Sequence, residues 1–150
     1  MGEHDLVRRV EAELGVQEVF WGVAVKPGKP ISFGTRDGTL VFGLPGNPVS
    51  SLVGALVFVC TGLRGVQGAR DPQPRYALGV TASPLRRNSH RDEFMRARRL
   101  DQGSEVTVEA ISGQESHMIV RAASADALVH VPRGEGEIAA GSAVRFLPLD

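Results

Sequence analysis

One cysteine cannot make a disulfide. Cys60 stands alone in 150 residues, which excludes an intramolecular bridge and a cysteine zinc site and fits a reducing cytoplasm. Net charge is missing as well: 17 Lys+Arg balance 17 Asp+Glu, so no whole-molecule attraction to nucleic acid or to a membrane surface is expected. The first residues, "MGEHDLVRRVEAEL", carry acids early and no apolar core, which is not the form of a secretory signal. The longest apolar run, Leu52 to Leu63, is short for a bilayer and is interrupted by Gly54, Thr61 and Gly62, so no membrane segment is expected. His4, His90 and His130 have no ligand spacing with one another or with acids, so no histidine metal site is expected. Six arginines between Arg86 and Arg99 form a basic run, but with Phe94 as the single aromatic among them and no net charge a nucleic-acid surface is not expected.

What is present is ordinary for a globular protein: 42% hydrophobic and 23% charged residues, in a length that suits one domain or two small ones. Leu6, Val7, Val10 and Leu14 recur at helical spacing, so His4 to Leu14 is expected to be an amphipathic helix that stops at Gly15. "EVFWGVAV", Glu18 to Val25, is β-branched and aromatic and predicts a strand that "KPGKP" ends. "ISFG" and "LVFGL" predict two short strands joined by a hairpin at "TRDG", Thr35 to Gly38. Val49 to about Val66 predicts a helix apolar nearly all round, and therefore covered on several sides.

"GARDPQPR", Gly68 to Arg75, has the composition of a linker. Beyond it, "YALGVTA", "EFMRARRL", "EVTVEAI", "ALVHVP" and "AVRFLPL" alternate in polarity and are separated by Gly, Ser, Asn and Asp, which predicts a small antiparallel barrel or sandwich. The expected organisation is an α/β region over residues 1–72 and an all-β domain over 73–150. Some 70 residues with three short strands and two helices make a poor self-sufficient core, so the first region is expected to be part of a larger α/β domain. Cys60 and Trp21 are expected to be packing residues.

The turn "LPGNP" has a definite chemistry. Asn47 suits a helix N-cap, Pro48 suits the first helical position where its missing N–H costs nothing, and Gly46 permits a positive φ or a close backbone approach. Ser50 and Ser51 add hydroxyls in the first turn, so the helix start is a ready anion site. A well-capped helix with no ligand has the same residues. Lys26 and Lys29, on a stiff Pro-Gly turn after a neighbouring strand, favour a phosphate-rich ligand at that edge.

These residues together resemble one family. "VKPGKPISFG" (Val25–Gly34) followed by "VFGLPGNPVSSL" (Val41–Leu52) is similar to the signature of the molybdopterin molybdenumtransferases, the MoeA and gephyrin E-domain family. The similarity extends through "GEHDLV" at Gly2–Val7, "VFWGVAV" at Val19–Val25, "HRDEFMRARRL" at His90–Leu100, "GQESHM" at Gly113–Met118 and "ADALVHVPRGEGEIAAGSAVRFLPL" at Ala125–Leu149. The implied fold is the later half of a molybdopterin-binding, MogA-like α/β domain followed by the family's small C-terminal β-barrel. Met1-Gly2 looks like the tail of the family's Gly-Gly-x-Ser-x-Gly loop, which raises the expectation that Met1 is internal to a longer protein.

The resemblance implies insertion of molybdate into adenylylated molybdopterin with release of AMP, a magnesium ion, and a cytoplasmic homodimer or a partner chain supplying missing domains. By position it gives Asp5 a part in the metal-dependent chemistry, which competes with plain helix capping. It gives Lys26 and Lys29 the oxyanions, with Lys26 among the reacting groups, and gives Pro45, Gly46, Asn47, Pro48 and Ser50 the lining of the pterin and phosphate pocket. Arg91, Arg96, Ser116 and His117 fall on motifs that face the active-site cleft, although strand alternation would also put Arg96 and Arg98 on an ordinary solvated face. Gly22 departs from the family, where some members have lysine. A non-catalytic molybdopterin-binding or dimer-pairing module is the competing expectation.

Overall fold

A computed structural model of the chain describes residues 6–102, 105–111 and 124–149. They form two compact units, one of residues up to Val23 and Gly28–Pro72, the other of Ala24–Pro27 and Gln73 onward.

The first unit begins with helix α1, Val7–Glu13, which leads into strand β1, Gln17–Trp21. Gly15, at φ +78°, ends the helix as its sequence position suggests. The predicted strand over Glu18–Val25 is interrupted, because Gly22 takes φ +80° and turns the chain after Trp21. Strands β3, Ser32–Arg36, and β4, Thr39–Gly43, are joined by Asp37 and Gly38 at φ +49° and +79°. Two residues with positive φ make the type I′ turn whose twist suits a hairpin. The sheet order is β1-β3-β4, antiparallel throughout, so β1 and β4 run the same way and both finish beside Ser32 (Trp21↔Ser32↔Gly43).

From Pro48 to Val66 the chain is one continuous helix: α2, Pro48–Gly54, a π-helical turn over Ala55–Val59, and α3, Cys60–Val66. Its early turns are the best covered, with Val49, Ser50, Val53 and Gly54 buried. Leu52, Leu63 and Val66 are exposed, and so are Leu6, Val7, Val10 and Leu14 on α1. The apolar faces expected to be buried on several sides are thus only partly covered, since one three-stranded sheet is the only other layer among the described residues of this unit. The apolar run also reaches further than Leu52–Leu63: the 19-residue helix is long and apolar enough to cross a membrane by length and composition. A helix covered inside a larger α/β domain has the same composition.

The second unit contains the alternating strands β5, Ala77–Thr81, β7, Asp92–Gln102, β8, Glu105–Ala110, β9, Ala127–Val131, and β11, Ala143–Pro148. They pair in the cycle β7-β8-β5-β11-β9, and β9 returns to β7, which closes a five-stranded barrel. Closure removes the free edges of a small sheet. Val108, Ala97, Ala127, Val129, Val131, Val144, Phe146 and Leu85 form its core. Strand β6, Leu85–Arg86, pairs with β10, Glu137–Ile138, as a separate ribbon whose Leu85 and Ile138 pack on that core. Strand β2, Val25–Lys26, comes from the first part of the sequence and pairs in parallel with β7 at Asp92 and Glu93, beyond the stretch of β7 that β8 occupies.

Candidate functional site

Strand β4 ends at Gly43, and four residues later Asn47 caps the long helix. Asn47 has extended backbone, φ −76° and ψ 125°, and its Oδ1 accepts from the Ser50 backbone N–H at 3.1 Å and from Ser50 Oγ at 3.3 Å. Ser51 Oγ donates to the Pro45 carbonyl, which ties the turn to the helix it starts. Pro48 occupies the first helical position. Gly46 takes no positive φ, and a Cβ there would meet nothing within 4 Å, so the turn itself needs no glycine at this position.

The lysine turn sits beside this helix start. Gly28, at φ +119°, would place a Cβ 3.4 Å from Ile31 Cδ1 and 3.6 Å from the Ser50 carbonyl oxygen, so the turn's backbone lies against the first helical turn. The Lys29 carbonyl accepts from the N–H groups of Val23 and Ile31, at 2.9 and 3.0 Å, which fixes the loop where β1 and β4 both end. Lys29 is exposed and forms no ion pair among the described residues. Lys29 follows Gly28 in this turn, and an ammonium that reaches the positive end of a helix would attract and orient an oxyanion. The chain holds only these two lysines among its 17 Lys+Arg, a bias in the sequence that marks the turn.

Lys26 has a different setting. It belongs to β2, and its Nζ pairs with Glu93 Oε1 at 2.5 Å. Glu93 is nearly buried, with 9% of its side chain exposed, whereas Lys26 retains 46%. Its charge is already met by a carboxylate, so holding an oxyanion would require it to exchange partners.

In the barrel, Asn88 Oδ1 accepts from the backbone N–H groups of His90 and Arg91, both at 2.9 Å, and so sets the approach to β7. Arg91 is half-buried. Arg96 is 2% exposed, not on the solvated face that alternation suggested, while Arg98 is exposed. The reason is that the outward-pointing side of β7 and its neighbours is covered too: Phe94, Leu128 and Leu147 are all buried on it. Asp5, Ser116 and His117 lie outside the described residues.

A polar cluster that the sequence did not reveal lies on the same unit. His130, 4% exposed, shares its Nε2 proton with Asp92 Oδ2 at 2.9 Å, and its Nδ1 accepts from Arg145 Nε at 2.8 Å. Those two bonds fix the ring as the neutral tautomer that carries its proton on Nε2. Burial, with help from the Arg145 charge, holds the His130 pKa below its ordinary value against the opposing pull of Asp92. Burial acts to raise the Asp92 pKa, but its bonds from the Arg133 N–H and from His130 prevail and lower it. No sequence spacing links residues 92, 130 and 145; only the register of β7, β9 and β11 brings them together.

Among the described residues, no group of three or more His, Cys, Asp or Glu side chains could hold a metal ion. The magnesium ion implied by the resemblance therefore finds no carboxylate set there.

Residues 1–64 match a family described as probable molybdopterin binding domain, and residues 79–149 match the MoeA C-terminal region, domain IV. Molybdopterin molybdenumtransferase 1 of Mycobacterium tuberculosis is 39% identical over 147 residues, covering 93% of this chain and 34% of the relative. A molybdopterin molybdenumtransferase of Haemophilus influenzae is 28% identical over 152 residues, covering 100% of this chain and 37% of the relative. Among solved structures, the molybdopterin biosynthesis MoeA protein of Pyrococcus horikoshii superposes with a TM-score of 0.78 at 25% identity, over 97% of this chain and 35% of that one. A molybdenum cofactor biosynthesis protein of Pyrococcus furiosus shares the fold, with a TM-score of 0.71 at 23% identity, over 97% of this chain and 55% of that one. The chain spans about a third of the length of the curated relatives it matches.

Proposed function

The chain belongs to the MoeA family, and on that premise we propose that it serves molybdenum cofactor biosynthesis as part of a longer or split molybdenumtransferase. The reaction would insert molybdate into adenylylated molybdopterin and release AMP. The observation that supports the reading is the contact of the Gly28 turn, in which Lys29 is the next residue, with the first turn of the Pro48–Val66 helix. In such a reaction the protein's main task is to position oxyanions and to offset charge as it shifts between phosphate and molybdate. Lys29 would supply a mobile point charge, and Pro45, Gly46, Asn47, Pro48 and Ser50 would line the wall. Lys26 would join only by exchanging Glu93 for the substrate oxyanion. On the barrel unit, Arg91, Arg96, Ser116 and His117 are proposed ligand contacts from the resemblance alone.

Magnesium would enter with the substrate phosphates. Its ligands would come from Asp5 and from a partner or a longer chain, since the described residues offer no carboxylate set, and no step is routed through it. The protein would act in the cytoplasm as a homodimer or with a complementary chain.

A second reading is a binding or dimer-pairing module without catalysis. AMP release from adenylylated molybdopterin, with molybdate and magnesium present, separates the two. Release by this chain, alone or after addition of a complementary chain, supports the transferase; none in either case supports the module. Within either reading, Lys29→Ala should weaken molybdopterin binding in calorimetry with an unchanged melting temperature. Unchanged affinity would remove Lys29 from the site.

A further inference from the structure

We propose that an open cleft on the barrel unit, apart from the lysine turn and helix start, is a binding site for a small organic oxyanion with an apolar body. The cleft has a volume of about 410 Å3, and its walls include Arg87, Arg145, His130, Leu78, Pro132 and Ile138. That is enough for a ligand of modest size. Two guanidinium groups line it, and none of its lining residues is acidic.

Both arginines are prepared for a ligand. Arg145 is aimed by its neighbours: His130 Nδ1 holds its Nε at 2.8 Å, and its guanidinium carbon lies 4.5 Å over the Tyr76 ring. With Nε engaged, the edge carrying the two terminal amino groups is left for a carboxylate or phosphate, in the two-pronged geometry that guanidinium favours. Asp92 stands behind His130 and spends its oxygens on the His130 ring and the Arg133 N–H, so it fixes the ring without entering the cleft. Arg87 lies across Gly134, where a Cβ would come within 2.9 Å of its Nη1. Its Nε is buried and has no hydrogen-bond partner among the described residues. With Nε closed off, an oxyanion in the cleft would meet the terminal amino groups of Arg87.

The apolar requirement comes from the residues that line the cleft beside the arginines. Leu78 pairs with Arg145 across the ladder and is 79% exposed, an unusual degree for a leucine on a strand; Ile138 and Pro132 continue the apolar surface. Guanidinium and hydrocarbon lining side by side call for an alkyl carboxylate or phosphate monoester, not for free phosphate. All of these residues belong to the barrel unit, so the inference does not depend on the molybdopterin reading.

The test is an NMR titration of the 15N-labelled chain with hexyl phosphate, hexanoate and inorganic phosphate, following the Nε–Hε signals of Arg87 and Arg145. Hexyl phosphate or hexanoate should give saturable shifts at both side chains. Inorganic phosphate should bind at least about tenfold more weakly, for want of apolar contact. Arg87→Gln should weaken binding by about tenfold or more, as expected for loss of one charge-assisted contact. Leu78→Asp, at an exposed position that the fold tolerates, should weaken it by a similar factor through repulsion of the anion. Absence of saturable shifts with both organic anions would overturn the proposal. So would unchanged affinity in both variants, or equal binding of inorganic phosphate.

Discussion

Replacing Lys26 tests whether its ion pair with Glu93 is a structural part of the barrel. The pair is short, 2.5 Å, and unequal: Glu93 has 9% of its side chain exposed and Lys26 has 46%. A fully exposed pair would contribute about 0–1 kcal/mol, and breaking a fully buried one would cost about 3–5 kcal/mol. A half-covered pair belongs between them, so Lys26→Met should destabilise the barrel by about 2 kcal/mol, chiefly by leaving the Glu93 carboxylate unpaired. Methionine keeps most of the apolar stem, which isolates the charge. Glu93→Gln should cost less, since a buried neutral amide is easier to tolerate than an unpaired carboxylate. The double variant should be close to Glu93→Gln alone, giving a coupling of about 1–2 kcal/mol. The assay is urea unfolding followed through β7 amide signals, where 2 kcal/mol moves the midpoint by about 1 M. A midpoint shift below about 0.2 M for Lys26→Met would refute the reasoning. Strict additivity of the two single changes would do the same.

Three other outcomes are expected. Gly79→Ala would put a Cβ 2.5 Å from the Val106 carbonyl oxygen and 3.3 Å from Phe146 Cε1, and since the first is backbone it should cost about 1–3 kcal/mol; an unchanged melting temperature would contradict the packing of β5 on β8. Asn47→Ala should lose about 1 kcal/mol with the cap, whereas Asn47→Asp should keep the stability and weaken oxyanion binding, which calorimetry together with thermal melts can check. The buried, neutral His130 has a pKa below its ordinary 6.5, so its contribution to stability is fully present above that pH and is lost as pH falls toward the folded value. Asp92, lowered from 3.8, adds a further loss in stronger acid. The midpoint measured from pH 7 down to pH 5 should therefore fall in the parent and fall less in His130→Gln.

Much of this was legible wherever local chemistry decides the outcome. Asp37-Gly38 supplies two positive φ angles cheaply, and the hairpin follows. Pro-Gly-Asn-Pro contains its own cap and first helical residue, so the helix start could be placed from four letters. Alternation marked all five barrel strands, because each has one face on a common core. The break at Gly22 was missed, because the β-branched pattern continues across a residue whose φ only the fold fixes. Arg96 was misjudged for a related reason: alternation assigns faces but not what covers them. The Lys26–Glu93 pair spans 67 positions, and His130 meets Asp92 across 38, so both depend on strand register that no local pattern encodes. The Arg145–Leu78 ladder at the cleft is hidden for the same reason.

Because of the short strand Val25–Lys26, the chain crosses between the units more than once. The chain passes from one unit to the other after Val23, back after Pro27, and across again after Pro72. Cutting the exposed Gly68–Arg75 segment would therefore give two polypeptides, with the Val25–Lys26 strand carried by the first and its partner β7 by the second. A polypeptide started at Gln73 would carry all five barrel strands and yet lack the partner that closes the open stretch of β7 and meets Glu93. In a chain divided there, the β2–β7 pairing would have to form in trans, and a peptide containing Val25 and Lys26 is the piece that could restore it.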